Sequence, residues 1–481
     1  MDYAMISPPT QDAQALAAGG AGPLYRQVYD RFRGAIAHGT LKPGDRIPSA
    51  RALAKELGVA RGTVEVAYSL LASEGYIQAR GQAGTVVAPD VQPQHAPPPA
   101  PAIASDEPSD GPGWREYPGV RPFQMGLPAL DAFPRKLWAR LGARQLRSLQ
   151  SADLAYPASG GLDALRIATA AYLQVARGIH CQPSQVFITS GYNGTMRLIL
   201  QTLFQPGDQV WMEDPGYPPT RALLEQARLE PVPVPVDQDG IQVSAGTARA
   251  GRARGAIVTP AHQSPLSMSL SLPRRQALLD WAERQGAWII EDDYDGEYRY
   301  VGRPLPALKS LDTQGRVLYA GTFSKVLFPG LRLAYLVVPQ AQAARFAQSA
   351  RLQAGAAPGL TQAILAAFMA EGHFGRHIQR MRSLYAERRA ATAAGLNAAL
   401  GQRLRIEPQP GGMHLVARLQ DGQSDVALAH RMEEQGMYAG ALSRWYAVPQ
   451  QQPALLLSFT NIATQAQAHE LGLRILKLMQ S

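Results

Sequence analysis

The stretch Val317-Leu-Tyr-Ala-Gly-Thr-Phe-Ser-Lys325-Val-Leu-Phe-Pro-Gly-Leu-Arg332 decides how the larger part of this chain is read. Val317 to Ala320 is a short apolar run of the kind buried in a sheet, and the small or polar Gly321 to Ser324 end it. Lys325 therefore stands at the mouth of a strand, and Leu331 to Pro339 reads as the next buried strand. An amine held among apolar neighbours loses the hydration of its charged form, so its pKa falls and it becomes a nucleophile toward aldehydes. A lysine on a solvated loop is the ordinary alternative, and the rest of the chain weighs between the two.

The chain has 481 residues, more than one core usually organises, so two or more domains are expected. With 46% hydrophobic residues, a sizeable core forms without disulfides or a structural metal, and no metal site is expected. The single cysteine, Cys181, cannot form an internal bridge, which suits a reducing cytoplasm. As a catalytic thiol it is accompanied only by the adjacent His180, and a structural role is the stronger reading. The opening Met1-Asp-Tyr-Ala-Met-Ile lacks the basic start and apolar run of a signal peptide. No run of eighteen or more apolar residues occurs, so no membrane span is expected. The net charge of +9 permits a polyanionic partner without requiring one.

Residues 1–20 are rich in Ala, Gln and Gly and read as a loose N-terminus. Leu24, Val28, Phe32 and Ile36 then put one apolar stripe on a first helix, ended by Gly39 and Pro43-Gly44. Ser49 reads as the N-cap of a second helix with Leu53 and Leu57 inside. After the Gly58-Val59-Ala60 turn, a third helix faces Val64, Ala67, Tyr68 and Leu71 inward. Tyr76 to Arg80 and Thr85 to Ala88 flank Gly81-Gln82-Ala83-Gly84 as a hairpin wing. Residues 21–90 carry nine Lys/Arg against six Asp/Glu, a mildly basic balance. The start of the third helix presents Arg61, Gly62 and Thr63, the position from which a recognition helix reaches bases and phosphates. Arg51 and Arg80 are placed to meet the DNA backbone.

The wording Gly39-Thr-Leu-Lys-Pro-Gly-Asp-Arg-Ile-Pro-Ser-Ala-Arg-Ala-Leu-Ala-Lys-Glu-Leu-Gly-Val-Ala-Arg-Gly-Thr-Val64, with Gly84-Thr85 in the wing, closely resembles the GntR-type winged helix. The resemblance implies an α+β winged helix-turn-helix head over residues 21–89 that binds double-stranded DNA through Arg51, Arg61 and Thr63, with Gly84 approaching the minor groove. Ala60 departs from it, standing where the family usually has a capping Ser or Thr. That loss costs about 1 kcal/mol.

Residues 90–117 form a Pro-rich stretch without periodicity, a semi-rigid linker. From residue 118 to 481, apolar runs alternate with helical stretches, the sign of an α/β domain with a mainly parallel sheet. Val186-Phe-Ile-Thr passes through Ser190-Gly191-Tyr192 into a helix, which offers N–H groups and a positive dipole end to a phosphate. Trp288-Ile-Ile leads into Glu291-Asp292-Asp293-Tyr294-Asp295, four carboxylates that repel one another unless cations stand among them.

Together these motifs resemble fold-type I pyridoxal-phosphate enzymes of the aminotransferase class. The resemblance implies a Schiff base between Lys325 and pyridoxal 5'-phosphate, with Asp292 on the pyridine nitrogen and Tyr294 on the ring hydroxyl. Ser190, Gly191, Tyr192, Thr322, Ser324 and Arg332 would hold the phosphate, and Tyr156 would reach the phosphate of a neighbouring subunit. Tyr217 would line the pocket, and Arg444 would clamp an effector carboxylate. Where aminotransferases carry Asn-Pro-Thr-Gly, this chain has Thr259-Pro-Ala-His262-Gln263-Ser264-Pro265. The His-Gln form is similar to that of MocR/GabR-type transcriptional regulators, which places His262 and Gln263 among the cofactor contacts. The whole chain thus resembles a regulator in which a small amine, an amino acid or the cofactor itself is sensed by exchange at Lys325. A head-to-tail homodimer is implied. The rival expectation is a working aminotransferase that carries a DNA-binding head, since the lysine, aspartate and arginine are all retained.

Overall fold

The computed structural model describes residues 22–81, 84–91, 119–300, 302, 306–353, 357–407, 409–420, 422–448 and 453–480. The loose N-terminus expected at residues 1–20, the wing tip at 82–83 and nearly all of the linker expected at 90–117 lie outside the described residues. The chain divides into two compact units, Met1–Asp110 and Gly111–Ser481.

In the first unit, α1 (Leu24–Ala37) buries Val28, Tyr29, Phe32 and Ile36. Leu24 remains 43% exposed, so the expected stripe begins one turn later than the spacing alone predicts. Ser49 caps α2 (Ala50–Leu57) by accepting the Ala52 N–H at 3.2 Å, and Gly58 closes that helix at φ +64°, a conformation glycine adopts freely. α3 (Arg61–Ser73) buries Val64, Ala67, Tyr68 and Leu71, the four residues its periodicity selects. Its N-cap, Ala60, supplies no side-chain hydrogen bond. The strands β1 (Arg46–Ile47), β2 (Ile77–Ala79) and β3 (Thr85–Val87) form an antiparallel sheet in the order β1-β3-β2. Three helices and this wing share one apolar core. Each of its large side chains contributes about 1.5–3 kcal/mol by leaving water.

The second unit is built on an eight-stranded sheet. Its strands are β4 (Val186–Thr189), β5 (Gln209–Asp214), β6 (Glu230–Asp237), β7 (Gly240–Ile241), β8 (Gly255–Val258), β9 (Trp288–Asp293), β10 (Val317–Thr322) and β11 (Ala334–Val337), in the order β4-β11-β10-β9-β8-β5-β6-β7. From β10 through β9, β8 and β5 to β6 the pairing is parallel, whereas β11 runs antiparallel to both its neighbours. β4, β8 and β11 are buried at every residue, which is why they read as unbroken apolar runs. β10 continues through Gly321 and Thr322, past the end that small residues suggest. Gly321 pairs with Tyr335, and a Cβ there would lie 2.3 Å from the Tyr335 ring, so this glycine marks close packing rather than a strand end.

A second, antiparallel sheet of β12 (Leu404–Ile406), β13 (His414–Leu419), β15 (Ala454–Ser458) and β14 (Gly440–Ala441) is packed against the helices His373–Leu400 and Gln465–Gln480. The alternation of apolar runs and helical stretches does not distinguish this layer from the larger sheet.

Candidate cofactor site and nucleic-acid interface

Strand register assembles the site. Ala334 lies opposite Thr189 at the end of the antiparallel β11–β4 pair, and just beyond that end Arg332 comes within reach of Gly191. Thr322 lies opposite Ala334 at the end of the β10–β11 pair, and the chain reaches Ser324 and Lys325 just beyond that end. Asp293 aligns with Gly321 in the parallel β9–β10 pair, so Tyr294 ends level with Thr322. One end of the sheet thus gathers residues that are far apart in sequence.

The four carboxylates after Ile290 are separated by strand alternation. Glu291 accepts the Leu308 and Lys309 N–H groups, both at 2.8 Å. Asp293 is bound by Arg177 Nε at 2.7 Å and by the Tyr319 hydroxyl at 2.5 Å. Asp295 meets His262 Nδ1 at 3.0 Å. Asp292, on the opposite face of β9 from its neighbours, makes no hydrogen bond or ion pair with another described residue. Burial first, then the charges of Asp293, Glu213 and Asp295, push its carboxyl up to about 8, against the pull of Lys325. Burial likewise brings the Lys325 amine down to about 8, opposed by Asp295 and Asp292. The Lys325 Nζ donates to the Gly126 carbonyl at 2.9 Å.

At the start of the helix Gly191–Leu203, Gly191 has φ +79°, and a Cβ on it would stand 3.6 Å from the Arg332 guanidinium carbon. Helix N–H groups and a guanidinium therefore converge on one small space, the arrangement that holds a phosphate. Ser324 N–H donates to Thr322 Oγ1 at 3.1 Å at the same strand end. The Tyr192 hydroxyl pairs with Thr220 Oγ1 at 2.6 Å, and the rings of Tyr192, Tyr217 and Trp445 follow one another with centroids 5.6 and 5.8 Å apart.

The Tyr294 hydroxyl is buried without a hydrogen-bond partner among the described residues. The Ser264 hydroxyl is near enough to act on its ionisation, though not in bonding geometry. Sequence reasoning missed Ser264, which stands beside the more conspicuous His262 and Gln263. Both of those side chains are engaged elsewhere. His262 is turned to Asp295, and Gln263 Nε2 donates to Glu213, Pro215 O and Ser264 O at 3.2, 2.8 and 2.9 Å. Arg444 lies exposed on a short turn, Leu442–Trp445. Tyr156 stands fully exposed, and this chain does not bring it to Lys325.

Three features of these residues fit pyridoxal phosphate. The Asp292 carboxyl makes no hydrogen bond or ion pair among the described residues, the Tyr294 hydroxyl lacks a partner among them, and Gly191, at φ +79°, opens a helix beside the Arg332 guanidinium.

On the head, Arg51, Arg61 and Arg80 are exposed and Thr63 is half-buried. Arg61 Nε pairs with Glu65 at 2.7 Å across one helical turn. Arg80 N–H donates to Gly84 O at 2.8 Å, and its guanidinium reaches the Gln78 side-chain oxygen at 2.9 and 3.1 Å once that amide is oriented to accept. Gly84 has φ +83°, and a Cβ there would lie 3.0 Å from Arg46 Nε, so the wing glycine packs on an arginine that sequence reasoning also missed. Arg46 sits in the two-residue strand β1, too short to carry any periodic signal.

Comparison with known proteins joins the two units. Residues 24–87 match the family "Bacterial regulatory proteins, gntR family", and residues 131–453 match "Aminotransferase class I and II". The chain is 38% identical over 447 residues to the probable rhizopine catabolism regulatory protein MocR of Rhizobium meliloti, covering 90% of each chain. The chain belongs to the MocR-type transcriptional regulators. A second relative of this type is the pyridoxine biosynthesis transcriptional regulator PdxR of Corynebacterium glutamicum, 33% identical over 420 residues, covering 87% of this chain and 88% of that one. Among solved structures, the α-aminoadipate aminotransferase LysN of Thermus thermophilus, complexed with N-(5'-phosphopyridoxyl)-L-leucine, superposes with a TM-score of 0.67 at 26% identity. The match covers 74% of this chain and 91% of that one. As a MocR-type regulator, the chain unites a GntR head with an aminotransferase-like body whose fold implies dependence on pyridoxal phosphate. Among the described residues no helix is long and apolar enough to cross a membrane, and no group of metal-binding side chains forms.

Proposed function

We propose that this regulator holds pyridoxal 5'-phosphate on Lys325 and reports, through its DNA-binding head, the arrival of a primary amine or amino acid at that position. Bound, the cofactor supplies an aldehyde that condenses reversibly with primary amines. Asp292 would hold the proton on the ring nitrogen, and Tyr294, with Ser264 beside it, would donate to the ring hydroxyl. The N–H groups following Ser190, together with Tyr192, Thr322, Ser324 and Arg332, retain the phosphate. Arg444 receives the effector carboxylate. The Lys325 amine lies in a buried setting whose neighbours Asp295 and Asp292 would favour its protonated form, against its burial. The observation that carries this reading is Asp292: among the described residues it alone of four neighbouring carboxylates is buried without a bonded partner, and it acts on the lysine.

Contacts made only in the effector-bound state bias the arrangement of subunits, and paired heads read that arrangement as half-site spacing on double-stranded DNA. Tyr156, exposed on this chain, is assigned to the site of a second copy in a homodimer. Full-length protein loaded with cofactor is titrated with a panel of amines and amino acids while its visible absorbance is followed, and the same panel is added to gel shifts on the DNA upstream of its own coding region. One effector class is expected to change both signals over the same concentration range. A spectral response that never alters DNA binding contradicts the proposal, and sustained turnover with a keto acid favours an aminotransferase instead.

A further inference from the structure

The turn that carries Arg444 is fixed from the large sheet by a residue outside the cofactor contacts. Asp214 ends β5 and is 7% exposed. Its Oδ1 accepts the Ala447 N–H at 2.6 Å and its Oδ2 the Val448 N–H at 3.3 Å. Two residues on, Gly216 N–H donates to the Trp445 carbonyl at 3.2 Å, and the Tyr217 ring lies against that of Trp445. Residues 214–217 therefore grip 445–448, the segment immediately after the arginine. On its other side, Ser443 N–H donates to Asp425 Oδ2 at 2.9 Å, and the same oxygen accepts Ala454 N–H at 3.1 Å. Arg444 is thus strung between two buried aspartates. Asp425 belongs to the smaller sheet's own layer. Asp214 comes from the sheet end that also presents Tyr217, and it ties the arginine to that end.

A buried carboxylate is costly unless charge-assisted hydrogen bonds offset its desolvation. Among the described residues, the side-chain hydrogen bonds of Asp214 go only to this one loop. Committing a buried charge to two main-chain groups has a purpose if the loop must not drift. A guanidinium that meets a carboxylate through paired bonds loses most of its advantage when displaced by about 1 Å. We infer that Asp214 is a positioning residue for effector recognition: it clamps the Arg444 turn to the large sheet and so sets the preference for a carboxylate-bearing amine over a plain one. This inference rests on the proposed function of the same site.

The test uses the full chain loaded with pyridoxal phosphate and two probes that differ only by a carboxylate, L-alanine and ethylamine, each titrated by visible absorbance. Wild-type protein is expected to bind L-alanine more tightly than ethylamine, and Arg444→Ala to remove that preference. Asp214→Ala is expected to reduce the preference about tenfold, the scale of a single charge-assisted hydrogen bond, while the ethylamine affinity and the cofactor spectrum stay at wild-type values. Added to Arg444→Ala, it should change nothing further. Asp214→Asn keeps the shape with one acceptor fewer, shows the same trend more weakly, and serves if the alanine variant does not fold. Equal weakening of both probes, an intact preference in both Asp214 variants, or an equal loss in the Arg444→Ala background each overturns the inference. So does a wild-type protein without preference for L-alanine. A wild-type spectrum unmoved by either amine sinks the reading of the site itself, and this inference with it.

Discussion

Arg332 and Gly191 meet just beyond the paired ends of β11 and β4, with the guanidinium carbon 3.6 Å from the point a Cβ on Gly191 would occupy. Neither residue is held there by the other alone. Gly191 adopts φ +79° at the mouth of a helix, and Arg332 adopts φ +50°, a left-handed conformation uncommon for a side chain of its size. The helix N–H groups and the guanidinium thus face the same space. Gly191→Ala places a methyl in that space and adds about 1–2 kcal/mol of backbone strain. Cofactor affinity, followed by absorbance titration, is expected to fall about tenfold or more, consistent with a disturbed charge-assisted hydrogen bond. Unchanged affinity would show that the phosphate is held elsewhere.

The acidic interior makes a pH prediction. Burial pushes Glu213 up to about 7 from 4.5, despite the hydrogen bonds it accepts from Thr259 and Gln263. Between pH 4.5 and 7 the folded protein keeps a proton there that the unfolded chain has released, so this contribution to stability is lost as pH rises through 7. Glu213→Gln removes the titration. The cofactor-free variant should gain thermal stability relative to wild type by a few degrees as pH rises from about 5 to 8. Taking the difference isolates Glu213 from His377 and His414, whose burial lowers them from 6.5 and acts in the opposite sense. A difference in melting temperature that is flat with pH refutes this assignment.

Arg61 is tied to Glu65 in an exposed pair, worth about 0.3–0.5 kcal/mol at most. That is little to give up for a phosphate. Arg61→Ala should leave thermal stability within error, weaken operator binding, and lower the slope of log affinity against log salt by about 1. An unchanged slope removes Arg61 from the DNA contacts.

Ala60 begins the recognition helix with no side-chain acceptor for the first N–H groups. Ala60→Ser restores the cap, and the unfolding free energy of the head should rise by about 1 kcal/mol in denaturant melts of full-length protein. No gain would mean that another group already satisfies that helix start.

What the sequence discloses follows from what is local. Lys325, Asp292 and Gly191 lie at strand ends whose apolar runs and small residues are consecutive, and the buried face of α3 follows from one helical period. Ser264, Asp214, Arg46 and Gly126 are not legible, because each acts through a partner brought near by folding: Gly126 is 199 positions from the lysine whose amine it accepts, and Asp214 is 233 from Ala447. His262 and Gln263 are legible as a motif, yet their hydrogen bonds to Asp295, Glu213 and two backbone carbonyls depend on loop paths that spacing does not encode.

The central claim is covalent, and one experiment reaches it directly. Full-length protein incubated with pyridoxal phosphate is reduced with borohydride, digested and mapped by mass spectrometry. A phosphopyridoxyl group on the peptide containing Lys325, absent from Lys325→Ala, is the predicted result. A colourless protein, or a label scattered over Lys42, Lys55, Lys136, Lys309 and Lys477 with Lys325 unmodified, would contradict the account.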